Sequence, residues 1–345
     1  MIKEEAGPEE SAVLAAALAG DEPAFGTLVE RYRRELRVHC YRMLGSFEES
    51  EDLVQETFLR AWRKRESFQG RSTFRAWLYR IATNACLDFL DRHPRRPRPR
   101  EAPVLATPGV SAPSPTEVFW LRPYPDRLLE PPAPAGAEPD AEVVAKETIE
   151  LAFLVAIQHL PPRQRVVLIL RDVLGWSAQE AAALLEVSVA AVKSALQRAR
   201  STMREHLPAQ RLEWAPSSDP TEEERAALRR YMDAVEQADP EVLAGVLRAD
   251  AWQAMPPAPI WILGGEAIVE AWRPAMIGPE AWGDWRVLPT RANRQPAAAA
   301  YLRRPGESEY QGSWLGVLRV EGGLVTQITT FGAEVFPAFG LPSTL

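Results

Sequence analysis

A proline-rich segment divides this chain and restricts how it can fold. Of its 31 prolines, 13 lie within residues 94–140, from HPRRPRPRE to PPAPAGAEPD. Proline lacks a backbone N–H and fixes φ, so neither regular helix nor regular sheet can persist through such a run. A shorter interruption, LPAQRLEWAPSSDPTEEE, covers roughly residues 207–224. We therefore predict three folded segments, 10–93, 141–207 and 218–345, with a linker at 94–140.

Charge is distributed unevenly over these segments. The net charge of −7 gives no sign of a nucleic-acid binder. However, residues 25–100 and 161–210 carry an excess of Lys and Arg, whereas 101–160 and 211–345 are acidic. We expect different segments to have different partners.

Cysteine and histidine usage limits the chemistry. Two cysteines, Cys40 and Cys86, exclude a disulfide framework and a cysteine-based zinc site. The four histidines lie far apart in the sequence, at no metal-ligand spacing. The start MIKEEAGPEE has no apolar signal-peptide core, and no run reaches the ~18 apolar residues of a membrane span. We expect a cytoplasmic protein with no metal, no cofactor and no membrane contact.

The first two segments have the apolar periodicity of helices. In EDLVQETFLRAW, apolar residues recur at helical spacing: Leu53, Val54, Phe58, Leu59 and Trp62. In STFRAWLYRIATNACLDFL, Ser72 is a candidate N-cap. The third segment places two helices, 222–238 and 240–249, before alternating aromatic-rich runs, the last two joined by Glu-Gly-Gly. We predict two all-α domains followed by an α+β domain.

The stretch WSAQEAAALLEVSVAAVKSALQRARSTMREHL has the pattern of a helix-turn-helix. Ser177 and Ser188 can cap its two helices, and Glu186 stands at the turn where Gly is usual, a position of positive φ that strains other residues. On the second helix we expect Val192, Leu196, Ala199 and Met203 to point inward. The opposite face suits a DNA major groove, since cations meet phosphates and Gln or Lys reaches base edges. An ordinary solvated amphipathic helix has the same pattern.

The block RESFQGRSTFRAWLYRIATNACLDFLDR mixes arginines with aromatics. Such a mixture can bind phosphates and stack on unpaired bases, but a charged helix with a buried aromatic stripe has the same composition. We expect Phe74 and Trp77 in the core, and Phe68, in a loop beside Gln69 and Gly70, exposed.

Three motifs occur in a specific order: DLVQETFLRAW, SFQGRSTFRAWLYRIATNACLD, and LPPRQRVVLILRDVLGWSAQEAAALL with SVAAVKSALQRAR. Over residues 12–207 this order resembles the extracytoplasmic-function (ECF) sigma factors of bacterial RNA polymerase. The resemblance implies that 10–93 binds core RNA polymerase and recognises and melts the minus-ten element of promoter DNA, and that 141–207 reads the minus-thirty-five element. Residues 218–345 resemble the cone-shaped SnoaL-like fold.

The resemblance also implies roles for individual residues. It places Asp52, Gln55 and Glu56 on the helix facing the polymerase clamp, and the local acidic patch suits a basic protein surface. The implied minus-ten contacts are Phe68, Gln69, Arg71, Arg75, Arg80 and Asn84. The implied minus-thirty-five contacts are Ser188, Lys193, Ser194, Gln197, Arg198 and Arg200. Ala195 departs from the family, whose members often carry Arg there.

The linker contains WLRPYPD at 120–126, which looks like the signature of members with an extra C-terminal domain. Its apolar groups and stiffening prolines suit a docking segment. We expect it to pack against the C-terminal domain or the first helical domain, holding all three compactly, through Trp120, Leu121, Tyr124, Pro125 and Asp126. A tether with stray aromatics is the other interpretation.

Two other function classes remain open. SnoaL-like folds house isomerases and cyclases that use a carboxylate or His as base; residues 211–345 contain no His, and the candidate bases are Asp233, Asp250 and Asp284. Ligand binding without turnover is favoured over catalysis by six tryptophans: Trp252, Trp261, Trp272, Trp282, Trp285 and Trp314. A plain helix-turn-helix repressor is disfavoured, because it needs neither the acidic helix nor a block that melts DNA. We predict a sigma factor, not an enzyme, whose C-terminal domain modulates its activity; any ligand or anti-sigma partner is unknown.

Overall fold

The computed structural model of the chain describes residues 8–70, 72–94, 98–99, 105–106, 116–118, 120–129, 150–206, 220–258 and 260–345. It divides into two compact units, Met1–Arg95 with Ala156–Trp214, and Arg96–Val155 with Ala215–Leu345. The two segments predicted to be helical therefore contribute to one unit. The described linker residues from 98 onward belong to the other.

The first segment forms four helices: α1 (Pro8–Leu18), α2 (Glu22–Leu44), α3 (Phe47–Arg63) and α4 (Phe74–Arg92). Asp21 caps α2 by accepting from the Ala24 N–H at 2.9 Å. The cap of α4 is Thr73, whose hydroxyl accepts from the Ala76 N–H at 3.1 Å. The prediction that Ser72 caps this helix was wrong by one residue. The helix begins at Phe74, so the residue directly before it, Thr73, is the N-cap and its hydroxyl accepts from the N–H three residues later.

The second segment forms α5 (Leu151–Gln158), α6 (Pro162–Leu168) with a π-helical continuation Ile169–Val173, α7 (Ala178–Leu185) and α8 (Val189–His206). Arg165 of α6 is 2% exposed and donates to the carbonyl of Met43 and to Gln158 Oε1, the latter at 2.7 Å. A buried guanidinium needs such acceptors to offset its desolvation. It joins α6 to the end of α2 within the first unit.

The second unit contains a seven-stranded mixed sheet. Its strands are β2 (Leu105–Ala106), β4 (Leu247–Ala254), β5 (Trp261–Leu263), β6 (Asp284–Ala292), β7 (Gln295–Arg303), β8 (Gln311–Glu321) and β9 (Leu324–Gly332). Their order across the sheet is β2-β5-β4-β9-β8-β7-β6. A separate pair joins β1 (Arg98–Pro99) to β3 (Thr116–Glu117). The expectation that the linker excludes sheet was therefore wrong for three two-residue strands. Strands this short need few backbone N–H donors, and β1 itself ends at Pro99.

Four helices accompany this sheet: α9 (Glu222–Glu236), α10 (Pro240–Val246), α11 (Gly265–Met276) and α12 (Phe336–Phe339). The predicted helix 240–249 ends earlier than expected, because Leu247 begins β4 and pairs in parallel with Val325. Buried residues of α9, α10 and α11 share one apolar core with the strands. The predicted fold class, helical domains followed by an α+β domain, is confirmed.

The predicted Glu-Gly-Gly turn joins β8 to β9, with Gly322 and Gly323 at φ of 58° and 72°. Within the described ranges, no helix is long and apolar enough to cross a bilayer. The same residues contain no cluster of three or more side chains suited to hold a metal. Two histidines distant in sequence do meet, as His159 stacks on His206 with ring centroids 3.7 Å apart.

Candidate functional site

One face of α3 presents Asp52, Gln55 and Glu56, which lie three or four residues apart and therefore on the same side of the helix. Asp52 and Gln55 are exposed, and Glu56 is half-buried. Leu59 continues this face and is 50% exposed. Leu59 belongs to the apolar residues at helical spacing but lies outside the buried face of α3, which contains Val54, Phe58 and Ala61. The structure thus adds an apolar residue to an acidic surface.

The acidic residues of α3 differ in their ionic partners. Glu56 Oε1 accepts from Arg60 Nε at 2.8 Å, and Arg60 also reaches Asp88 at 3.2 Å. Glu51 pairs with Arg37 of α2. No described cation lies within ion-pair distance of Asp52. An external basic partner can therefore meet the charge of Asp52 without breaking an ion pair to a described residue.

The loop before α4 holds Phe68 in an aromatic cluster. Its ring centroid lies 5.7 Å from that of Phe74 and 5.5 Å from that of Trp77. Phe68 is half-buried, so the expectation of an exposed side chain was wrong: the short turn Arg65–Ser67 brings the ring back onto α4. Phe74 and Trp77 are buried, as expected. Gln69 is exposed, and Arg71 lies outside the described residues.

The three candidate residues of α4 have different surroundings. Arg75 donates to Glu35 at 2.7 Å, and its guanidinium lies 5.3 Å from the ring centroid of Tyr79. Arg80 lies 3.6 Å from the carboxylate of Glu186 in the helix-turn-helix. Asn84 is exposed. Arg75 is therefore held inside the first unit, whereas Asn84 offers its amide to solvent.

The helix-turn-helix consists of α7, a tight turn and α8. Ser177 and Glu180 form a reciprocal capping box at the start of α7, with distances of 3.1 and 2.7 Å. Hydrogen bonds that the side chain and backbone of Ser177 donate to the Glu180 carboxylate lower the pKa of that group. Glu186 has φ of 55°, the left-handed conformation predicted for the turn. The N–H of Ala191 donates to the Ser188 hydroxyl at 3.1 Å, so Ser188 caps α8.

The inward face of α8 is the predicted one, since Val192, Leu196, Ala199 and Met203 are all buried. On the outward side Lys193, Ser194, Gln197 and Arg198 are exposed. Arg200 makes a two-pronged contact with Asp172, with distances of 2.8 and 2.7 Å, which raises the pKa of the arginine. Ala195 is half-buried.

The WLRPYPD segment meets the β6–β7 hairpin in the second unit. The Tyr124 N–H donates to Asn293 Oδ1 at 2.8 Å, and the Arg294 N–H donates to Asp126 Oδ1 at 2.9 Å. Pro125 bridges to Ala292. Tyr124 is fully buried, Leu121 and Asp126 are 3% exposed, and Trp120 is half-buried.

Sequence reasoning missed the hairpin residues that receive this segment. Asn293 and Arg294 have φ of 57° and 62°, as in the two-residue type I′ turn that suits a β-hairpin. Asn tolerates this conformation, whereas Arg does so less readily. The only local signal was the Asn-Arg pair between two alternating runs. No local pattern connects it to residues 124–126.

Known proteins resemble this chain over both helical segments and beyond them. The protein-family model described as "Sigma-70 region 2" matches residues 28–96, and the model described as "Sigma-70, region 4" matches residues 150–203. ECF RNA polymerase sigma factor SigG of Mycobacterium tuberculosis is 42% identical over 344 residues, which cover 95% of this chain and 88% of the relative. SigW of Bacillus subtilis is 32% identical over 194 residues, covering 54% of this chain and 91% of its own.

A solved structure supports the fold along almost the whole chain. The crystal structure of the Mycobacterium tuberculosis extracytoplasmic function sigma factor SigJ has a TM-score of 0.57 at 21% identity, covering 92% of this chain and 99% of that one. The likeness therefore includes the C-terminal α+β domain. With the SigG match spanning nearly its full length, the chain belongs to the ECF sigma factors of RNA polymerase, as the order of its motifs predicted.

Proposed function

We propose that this sigma factor uses the α3 face to bind core RNA polymerase, the 68–84 region to open the minus-ten element, and α8 to read the minus-thirty-five element. The observation that carries the proposal is the separation of an acidic face with an exposed leucine on α3 from the cationic outward face of α8. The first suits a basic protein surface, and the second suits DNA. Because its partners are cytoplasmic, we place the protein in the cytoplasm.

The polymerase contact combines charge with an apolar centre. Asp52 supplies an unpaired charge among the described residues, and Gln55 supplies an exposed amide. Leu59, at 50% exposure, supplies a side chain whose full burial is worth about 1.5–3 kcal/mol. Sets of this kind, in which an apolar residue is surrounded by polar ones, are typical of protein interfaces.

The minus-ten contact rests on Phe68 and Asn84. The half-buried ring of Phe68 is backed by Phe74 and Trp77, which fixes its position so that a flipped base can stack on the remaining surface. Asn84 can hydrogen-bond a base edge or a phosphate. Arg75, tied to Glu35, positions α4 beneath this loop.

The minus-thirty-five contact rests on α8. Lys193, Gln197 and Arg198 are exposed and can reach bases or phosphates. The Ser188 hydroxyl accepts an N–H of its own helix, so we assign it to the start of the recognition helix. The guanidinium of Arg200 is held by Asp172, which orients it toward the phosphate backbone.

We propose that the C-terminal domain modulates transcription through WLRPYPD, because three residues of this linker signature, Tyr124, Pro125 and Asp126, contact the β6–β7 hairpin of that domain. Catalysis is disfavoured by the candidate bases: Asp233, Asp250 and Asp284 are all exposed. Asp250 is paired with Arg248, and Asp284 with Arg303 at 2.6 Å.

Run-off transcription with core polymerase tests the proposal. Full-length protein should direct promoter-dependent transcripts, and deletion of 208–345 or the change of Trp120 and Tyr124 to Ala should alter their amount. Failure of the full-length chain to stimulate core polymerase on any ECF-type promoter library would contradict the polymerase role. Unchanged transcription by both altered chains would contradict the modulatory role.

A further inference from the structure

The two helical segments pack directly against each other inside the first unit, where helix α4 contacts both α6 and α7. The ring centroids of Tyr79 in α4 and Trp176, just before α7, are 5.3 Å apart. The guanidinium of Arg80 lies 3.6 Å from the carboxylate of Glu186. The helix-turn-helix therefore lies against the part of α4 that carries a candidate minus-ten residue, Arg80.

Buried polar contacts join the same two segments at a second place. Gln158 Nε2 donates to the carbonyl of Arg42 at 3.4 Å, and Arg165 donates to the carbonyl of Met43. Both carbonyls belong to the last turn of α2, where a helix leaves its C=O groups without partners of its own. Gln158 and Arg165 are each 2% exposed. Because these polar groups are buried and paired across the two segments, the contact is a packed interface and not a touch between solvated surfaces.

The geometry of promoter DNA conflicts with this packing. Positions −10 and −35 are about 25 base pairs apart, which at ~3.4 Å per base pair separates the two elements by ~85 Å along the duplex. A duplex this short stays nearly straight, because the persistence length of DNA is about 150 base pairs. A compact unit of about 150 residues has a radius of gyration of only ~15 Å. The first unit, packed as it is, cannot contact both elements at once.

We propose that the packed form of the first unit is a closed, autoinhibited state, and that the second segment must separate from α2 and α4 before both promoter elements can be read. This regulation rests on the proposed assignment of the minus-ten element to the 68–84 region and of the minus-thirty-five element to α8. In the closed state the carboxylate of Glu186 partly neutralises Arg80, whose charge suits a promoter phosphate.

The closed state also gives a role to the unusual turn residue. Glu186 has φ of 55°, a conformation in which Gly is less strained, and its side chain reaches across to α4. Because only the open form can contact both elements, the apparent dissociation constant for the promoter equals the intrinsic one divided by the open fraction. Weakening the contact between α4 and the helix-turn-helix should therefore improve promoter binding, a gain that damage to the fold does not produce.

A distance measurement on the full-length chain tests the opening. Glu30→Cys and Glu205→Cys, at exposed positions in the two segments, carry a dye pair, and the native cysteines are buried. The free chain should show one short distance, and the complex with core polymerase and a promoter should show a distance longer by tens of Å. A free chain with the distance of the complex, or a short distance in a complex that makes transcripts, would overturn the closed state. The transcripts report separately on the proposed function, since a chain that makes none fails as a sigma factor whatever its distance.

Variants of the contact test the inhibition. Trp176→Leu with Glu186→Gln removes the ring contact and the ion pair to α4, and should strengthen promoter binding by the polymerase complex about two- to fivefold, as expected when the open fraction rises. Glu186→Gln alone changes one exposed side chain, so it keeps the fold and should give a smaller gain in the same direction. Glu205→Gln is the control, because it removes the same charge from an exposed position near the other end of α8. No gain in either variant, or an equal gain in Glu205→Gln, would overturn the proposal.

Discussion

Tyr124 and Asn293 exchange two hydrogen bonds across 169 residues of sequence: the Tyr124 N–H donates to Asn293 Oδ1 at 2.8 Å, and the Asn293 N–H donates to the Tyr124 carbonyl at 2.9 Å. One residue of the hairpin turn therefore satisfies both backbone groups of a fully buried tyrosine. Buried backbone groups left unpaired are costly. Asn suits this place because it tolerates positive φ and also offers an acceptor.

Replacing Asn293 should release the WLRPYPD segment. Asn293→Gly keeps the positive φ but removes the acceptor for the Tyr124 N–H, which should cost about 1–3 kcal/mol. Hydrogen exchange of residues 120–129 should become faster by one to two orders of magnitude, since 1.4 kcal/mol is a factor of ten. Asn293→Asp keeps both the acceptor and the tolerance for positive φ, and should exchange more slowly than the glycine variant. Equal protection in all three proteins would show that this hydrogen bond does not hold the segment.

Reversing charge on α3 should weaken polymerase binding. Asp52→Lys with Glu56→Lys places like charges against a basic partner, which typically costs several kcal/mol in an interface. Pull-down of core polymerase measures the effect, and circular dichroism checks helicity. Glu30→Lys with Glu205→Lys is the control, because it changes the net charge equally at exposed positions elsewhere in the first unit. If the two pairs behave alike, the effect is one of total charge and the assignment to α3 fails.

Leu59 should contribute to the same contact without any charge. Leu59→Ala removes an exposed side chain, so we expect almost no change in the free energy of unfolding but about tenfold weaker polymerase binding. Titration of labelled core polymerase gives the affinity. Val242→Ala, at another exposed aliphatic position in the second unit, should leave it unchanged. An unaltered affinity of the Leu59 variant would place this side chain outside the interface.

The two DNA surfaces should give different defects. Phe68→Leu keeps apolar packing against Phe74 and Trp77 but removes a stacking platform worth ~1–3 kcal/mol per base, so promoter opening should suffer more than initial binding. Lys193→Ala and Gln197→Ala should weaken the closed complex, and Gln197→Ala should relax preference at one upstream position if it reads a base. Permanganate footprints and closed-complex affinities separate the two steps. Identical defects in the Phe68 variant and in the two α8 variants would contradict the assignment of promoter opening to one surface and initial binding to the other.

The buried His39 should make the first unit less stable as pH falls. Burial, with a smaller effect from Arg42, lowers the pKa of His39 to about 3, and its Nε2 lies 2.9 Å from the Thr83 hydroxyl. Below pH ~6.5 the unfolded chain binds a proton here but the folded chain does not, so the free energy of unfolding falls with decreasing pH, by up to about 1.4 kcal/mol per pH unit.

Urea denaturation between pH 7 and about 5, above the range of most carboxylates, measures this dependence. His39→Gln should reduce it but not abolish it, because burial and, to a smaller extent, His206 lower the pKa of His159 in the same unit to about 4. His93→Gln, at an exposed position, should leave it as in the unaltered chain. A slope that does not change in His39→Gln would assign the dependence to other groups.

The sequence by itself determined the local features of this protein. The inward face of α8, the positive φ at Glu186 and the turn between β8 and β9 follow from spacing and residue type within a few positions, and the order of three motifs indicated the family. The acidic positions of α3 were also predictable, because helical periodicity fixes which residues share a face.

Tertiary structure decided features in which distant residues meet. Leu59 is exposed because other residues of α3 face α2 and α4, and Phe68 is half-buried because a short turn returns it to Phe74. Leu247 leaves the predicted helix because a strand near residue 325 offers it hydrogen bonds. The contact between Tyr124 and the hairpin that receives it likewise depends on packing between segments far apart in the chain. Periodicity reports only which residues share a face of one element; which neighbour covers that face is decided by packing among all the elements.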